Sequence, residues 1–169
     1  MQLVYYPDPV LQKRATAIEP GESGESGAAR LAAAMLEVMV EARGIGLAAP
    51  QVGESVRLFI ASESGAPEEA IVCINPRIEP FGPIVEFEEG CLSIPGIHAM
   101  VERPERVRIS YTDLAGKRVE AEYGELMARI IQHECDHLDG VLFIERMSEA
   151  ERLRIRADLK TLEEQYRGP

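Results

Sequence analysis

The spacing of hydrophobic residues changes several times along the chain. In ARLAAAMLEVMVEAR (29–43), Leu31, Ala34, Met35, Val38, Met39 and Ala42 recur at helical spacing, which predicts an amphipathic helix with Gly44 as its C-terminal cap. Short segments of strand character follow: VRLFIA (56–61), AIVCIN (70–75), IVEFEE (84–89), RVRISYT (106–112) and KRVEAEY (117–123), the last two separated by a DLAG turn. A second helix is expected from about Gly124 to Leu138, closed by Asp139-Gly140, with the short apolar stretch VLFIER (141–146) after it. A third starts at Ser148, an N-cap with Glu151 three residues on, and runs to about Tyr166. EPGESGESG (19–27) reads as a polar loop, and no repeat or linker is visible. This order predicts an α+β fold, with antiparallel or mixed sheets around the central second helix and a helix towards each terminus, in a single domain over 1–169.

Composition narrows the function mainly by exclusion. A net charge of −11 argues against direct nucleic-acid binding or anchoring to a membrane surface. The start MQLVYYPDPVLQ lacks the basic and apolar regions of a secretory signal, and no run reaches the ~18 apolar residues of a membrane span. Three cysteines at irregular spacing make a poor disulfide framework, so a reducing, cytoplasmic setting is the default expectation.

The chemistry concentrates in QHECDHL (132–138). At 100° per residue, His133 and His137 share a helix face with Leu126 and Ile130, and Glu134, Met127, Leu138 and Ile131 lie next round. Gln132, Asp136, Arg129 and Ala128 take the other side. A glutamate between two imidazoles on an apolar face needs compensation, and a divalent metal supplies it: His at i and i+4 present two nitrogens to one ion, with the adjacent Glu in reach of its water. Asp136, on the polar flank, is expected to pair with Arg103 and hold the helix against the sheet. For the third ligand the residues leave alternatives open. Glu163 or Glu164 in the last helix would suit a general zinc endopeptidase, and a closed four-ligand site would suit a structural metal in a binding module. Cys135 points away from the histidines and Cys73 lies in an apolar run, whereas Cys91 stands in EEGCLSIPG (88–96), an irregular strand end that can bring a thiolate toward the helix.

A third stretch, GIGLAAPQVG (44–53), reads on its own as a backbone-exposing turn ending near Gln51, since it lacks a phosphate-loop pattern. Taken together, GIGLAAPQ (44–51), EGCLS (89–93) and QHECDH (132–137) resemble the three signature motifs of the peptide deformylases, in order and in separation. The resemblance covers most of the chain. It implies a metal held by Cys91, His133 and His137, with Glu134 as general base and the Gln51 side-chain amide and Leu92 backbone N–H as donors to the oxyanion. It also implies that Gly46 lets an extended peptide approach, and Ile45, Leu126 and Ile130 are candidate walls of a methionine pocket. The implied substrates are N-formyl-methionyl nascent peptides. The implied cofactor is one divalent ion, iron(II) in most bacterial relatives, although ligand softness would also accept zinc, nickel or cobalt. His98 stands where some relatives carry an arginine. The last helix balances Arg152, Arg154, Arg156, Lys160 and Arg167 against Glu149, Glu151, Asp158, Glu163 and Glu164, which leaves ribosome association by a basic tail with little support.

Overall fold

The structure, a computed structural model, describes residues 1–19 and 27–166. The polar loop expected at 19–27 therefore lies outside the described residues except at its two ends. In chain order the main elements are α1 (Ala28–Glu41), β1 (Gly46–Ala48), β2 (Leu58–Ala61), β3 (Ile71–Cys91), β4 (Ile94–Thr112), β5 (Arg118–Gly124), α2 (Glu125–Leu138) and α3 (Glu149–Tyr166). The strands form one sheet in the order β1-β2-β3-β4-β5, and every pairing in it is antiparallel, so the mixed alternative does not hold.

The expected helices are present, with a correction at the end of α1. The left-handed residue there is Arg43 (φ 56°), not Gly44. Arg43 N–H bonds the Val40 carbonyl and Gly44 N–H the Met39 carbonyl, which makes Gly44 the residue after the left-handed one. At α3, Ser148 Oγ accepts the Glu151 N–H at 3.2 Å, and the Glu151 carboxylate turns across to the Met100 N–H on β4 at 3.1 Å.

The strands depart further from expectation. Residues 76–83 and 94–105, left unassigned in the sequence, belong to β3 and β4, which pair over most of their length as a long hairpin. Pro76, Pro80 and Pro83 masked the first stretch; Pro76 and Pro83 lie at register shifts, where a missing N–H is tolerated, next to Asn75 (φ 50°) and Gly82 (φ 88°). The second stretch does alternate, with Ile97, Ala99, Val101 and Arg103 facing inward, but a buried arginine interrupts the apolar pattern. Residues 46–48, taken as part of a turn, form the edge strand β1.

Among the described residues the buried apolar side chains gather in three clusters. One lies between the sheet and α2 (Phe59, Val107, Ile109, Ile131, Cys135, Leu138), and a second packs α1 on β1 and β2 (Met35, Met39, Leu47, Leu58, Ile60). The third holds the N-terminal segment and α3 against the distal hairpin (Leu11, Ile94, Val101, Phe143, Ile155, Leu162). The apolar residues of α2 belong to the first cluster, and even Gln132 and Asp136, on the side read as polar, are buried.

The end of α2 is fixed by Gly140, whose φ is 75° and where a Cβ would meet the backbone of Gln12 at 2.8 Å. Gly140→Ala is expected to destabilise the chain by about 2–3 kcal/mol, from the left-handed backbone and the forced shift of the N-terminal segment. Urea unfolding measures this, and an unchanged midpoint would contradict it.

Candidate metal centre

Two segments remote in sequence supply the centre. α2 presents His133 and His137 one helical turn apart, with Glu134 next to the first, and β3 ends on Cys91, which pairs with Ile94 across the two-residue turn Leu92–Ser93. That tight reversal at a strand end delivers the thiol to the helix: Cys91 Sγ lies 3.2 Å from His137 Nε2, which lies 3.3 Å from His133 Nε2. All three ligating atoms are within 4.8 Å of one another. Two nitrogens on one tetrahedral ion at ordinary bond lengths are about 3.3 Å apart, and nitrogen and sulfur about 3.5 Å. The donor set thus fits a single divalent ion with a fourth position open. Glu134, buried beside them, leaves Oε2 without any hydrogen-bond partner, an orphan that a polar group at that position would satisfy. Burial, reinforced by Glu89 and Asp136 and opposed by His133 and Arg103, pushes its carboxyl up to about 7.

The cluster is oriented by a buried ionic network. Glu89 Oε2 faces His133 Nδ1 at 3.1 Å, so Nδ1–H donates to the carboxylate and the Nε2 lone pair is left for an ion. Glu89 also accepts from Arg103 Nε and Nη2 at 2.6 and 3.0 Å and from Arg129 Nη1 at 2.7 Å. Burial alone would raise the Glu89 pKa, but the hydrogen bonds and charges of His133 and Arg103 hold it well below the usual carboxylate range. Arg103 Nη1 continues to Asp136 Oδ2 at 2.8 Å, the expected pair, and Arg146 closes the chain on Asp136 Oδ1 at 2.6 Å.

Gln51 reaches the centre from the short turn after β1. Its Oε1 accepts the Ala48 N–H at 2.8 Å, which turns the amide NH₂ toward Cys91 Sγ (3.4 Å) and Ser93 Oγ (3.3 Å). A cavity of about 490 Å³ opens over these groups, lined by Ile45, Gly46, Gln51, Cys91, Leu92, Leu126, Ile130, His133 and Glu134. It thus brings together the sequence-selected residues except His137, which is buried behind it. Gly46 has a further reason to be bare: a Cβ there would run into Glu134 Oε1 and meet Ile130 Cγ2 at 2.9 Å, on the protein's own side of the strand. His98 stands exposed at the cavity's edge with its ring over Gly90.

Other selected residues lie elsewhere. Glu163 accepts the Tyr6 hydroxyl and Glu164 sits beside Lys160 on the surface, so neither belongs to the metal group among the described residues. Cys73 and Cys135 are buried in the core, which pushes both thiols up. Sequence reasoning missed Glu89, Arg129 and Ser93. Glu89 and Ser93 stand within EGCLS (89–93) but had no role assigned there, and Arg129 was read as part of a polar face.

The family described as Polypeptide deformylase matches residues 1–153 of the chain. Peptide deformylase 1B, chloroplastic/mitochondrial, of Arabidopsis thaliana is 43% identical over 169 residues, covering 98% of this chain and 61% of its own. The chain thus spans about three fifths of that relative's length. The peptide deformylase of Alkalilimnicola ehrlichii is 44% identical over 169 residues, covering 99% of this chain and 93% of its own. The crystal structure of the Arabidopsis thaliana enzyme with an inhibitor superposes with a TM-score of 0.91 at 43% identity, over 98% of this chain and 92% of that one.

Because Arg103 joins two buried carboxylates, Arg103→Met is expected to destabilise the chain by about 3–5 kcal/mol. Urea unfolding of the parent and the variant measures it, and a loss below about 1 kcal/mol would mean the network is electrostatically idle.

Proposed function

The chain belongs to the polypeptide deformylase family, and from that premise we propose that it removes the formyl group from the N-terminal methionine of newly made proteins, releasing formate. The observation that carries the reading is the meeting of Cys91, His133 and His137 with the Gln51 amide and the orphaned Glu134 carboxylate in one open cavity. Residues 1–169 would act as one catalytic domain. A divalent ion held by the three ligands supplies Lewis acidity, lowering the pKa of water and polarising a carbonyl. Iron(II) is the assignment favoured by the resemblance, with zinc, nickel and cobalt also suited to two imidazoles and a thiolate.

The chain's own groups account for the remaining steps. The peptide lies extended between residues 43–46 and the distal end of β3, adding a strand beside β1. Ile45, Leu126 and Ile130 receive the methionine side chain. Glu134 accepts a proton from the water that adds to the formyl carbon, and it delivers that proton to the nitrogen as the C–N bond breaks. Gln51 Nε2–H, aimed by Ala48, and the Leu92 N–H donate to the oxygen as negative charge develops on it. The free thiols favour a reducing compartment, the cytoplasm by default. No helix among the described residues is long and apolar enough to cross a membrane.

The deciding assay is formate release from a formyl-methionyl tripeptide against acetate release from its acetyl counterpart. The formyl substrate should be strongly preferred, because the extra methyl must fit against the oxyanion donors; equal rates would overturn the reading. Glu134→Ala is expected to keep its metal content and to lose roughly 10²–10⁴-fold in kcat. Loss of metal from that variant would make Glu134 a ligand and remove it as the base.

A further inference from the structure

Two turns must keep their spacing for the proposed reaction. Ala49–Val52 carries Gln51, and Leu92–Ser93 follows Cys91. Among the described residues, the hydrogen bonds that join them directly are those of Gln51 Nε2 to Cys91 Sγ and Ser93 Oγ, at 3.4 and 3.3 Å. The N-terminal segment crosses both. Val4 N–H donates to the Gln51 carbonyl at 2.8 Å, and two residues on Tyr6 N–H donates to the Ser93 carbonyl at 2.9 Å. Both bonds are made within three residues of backbone, so this strap fixes the separation of the two turns. Leu3 packs on the α1 cluster, and Val4 and Tyr6 on the distal-hairpin cluster.

The strap is held from outside by the last turns of α3. Tyr6 Oη donates to Glu163 Oε1 at 2.8 Å, and the Tyr5 and Tyr166 rings stack with centroids 4.5 Å apart. Glu163, a candidate ligand on sequence grounds, is thus occupied in fastening this segment. We infer that residues 4–6, clamped by Glu163 and Tyr166, are positioning residues that set the distance between the Gln51 amide and the Cys91–Leu92 corner, and through it the strength of oxyanion stabilisation.

The inference rests on the deformylase reading, and the test separates the two. On the metal-loaded full chain with a formyl-methionyl peptide, Tyr166→Ala is expected to lower kcat about 5–10-fold with KM unchanged. Tyr166→Phe keeps the stacked ring and should restore the rate. On a Gln51→Ala background, itself lowered about 10²-fold, Tyr166→Ala should lose less than about twofold, since its route to the reaction is already gone. In the cobalt form, the thiolate-to-metal absorption band reports the hydrogen bond on Cys91 Sγ, and Tyr166→Ala should shift it in the same direction as Gln51→Ala. If Tyr166→Ala does not fold, Tyr6→Phe takes its place, with a loss of about 3-fold expected and the same comparison on the Gln51→Ala background. An unchanged kcat with an unmoved band, or the same fold-loss in both backgrounds, overturns the strap. A parent chain that releases no formate overturns the deformylase reading alone, and the cobalt band then decides the strap.

Discussion

Glu89 accepts hydrogen bonds from Arg103, Arg129 and His133 in a pocket nearly closed to solvent, and so ties both arms of the hairpin to the helix that carries the ligands. An isolated carboxylate at that depth would be driven to its neutral form. Four N–H donors from three side chains reverse this, and the charge they stabilise in turn selects the His133 tautomer that leaves Nε2 free. The arginine at an inward position of β4 and the acid on the supposedly polar side of α2 are parts of the same network.

This network also accounts for the burial of α2 on nearly every side. An amphipathic helix in a small α+β domain ordinarily keeps one wet face. Here that face is covered because its polar groups have partners: Asp136 meets Arg103 and Arg146, and Gln132 bonds the Pro104 carbonyl at 2.9 Å. A helix enclosed in this way holds its histidines to one rotameric arrangement, which a metal centre with two ligands on one helix requires. The cavity over the ligating group is lined by residues of β1 and of the hairpin end as well as of α2.

Among the described residues no such buried ion pair joins β1 to the hairpin corner. Gly46 lies against Glu134 closely enough to exclude a methyl group, and Gln51 bridges to Cys91 and Ser93 through long contacts of 3.3–3.4 Å. The backbone bonds from Val4 and Tyr6 are the shorter and more directional ones across this gap. The centre is therefore rigid on the α2 side and spanned by lighter contacts on the Gln51 side.

The three helices, the turn between the last two strands and the shared face of His133 and His137 were legible in the chain, because each depends on spacings within a few residues. The Asp136–Arg103 pair could be anticipated as an acid facing a sheet that offers a base. The full length of β3 and β4 could not, since prolines at bulges and an inward arginine are acceptable only when a partner strand and a buried carboxylate are already in place. Cys91, Glu163 and Glu164 were equally open as third ligands on local grounds, and only the motif resemblance favoured the cysteine. The choice belongs to tertiary structure: a two-residue reversal at the end of a bulged hairpin carries Cys91 Sγ to within 3.2 Å of His137, while Glu163 is drawn to Tyr6. Local periodicity determines which residues share a face, whereas the approach of two faces depends on the register and curvature of everything between them.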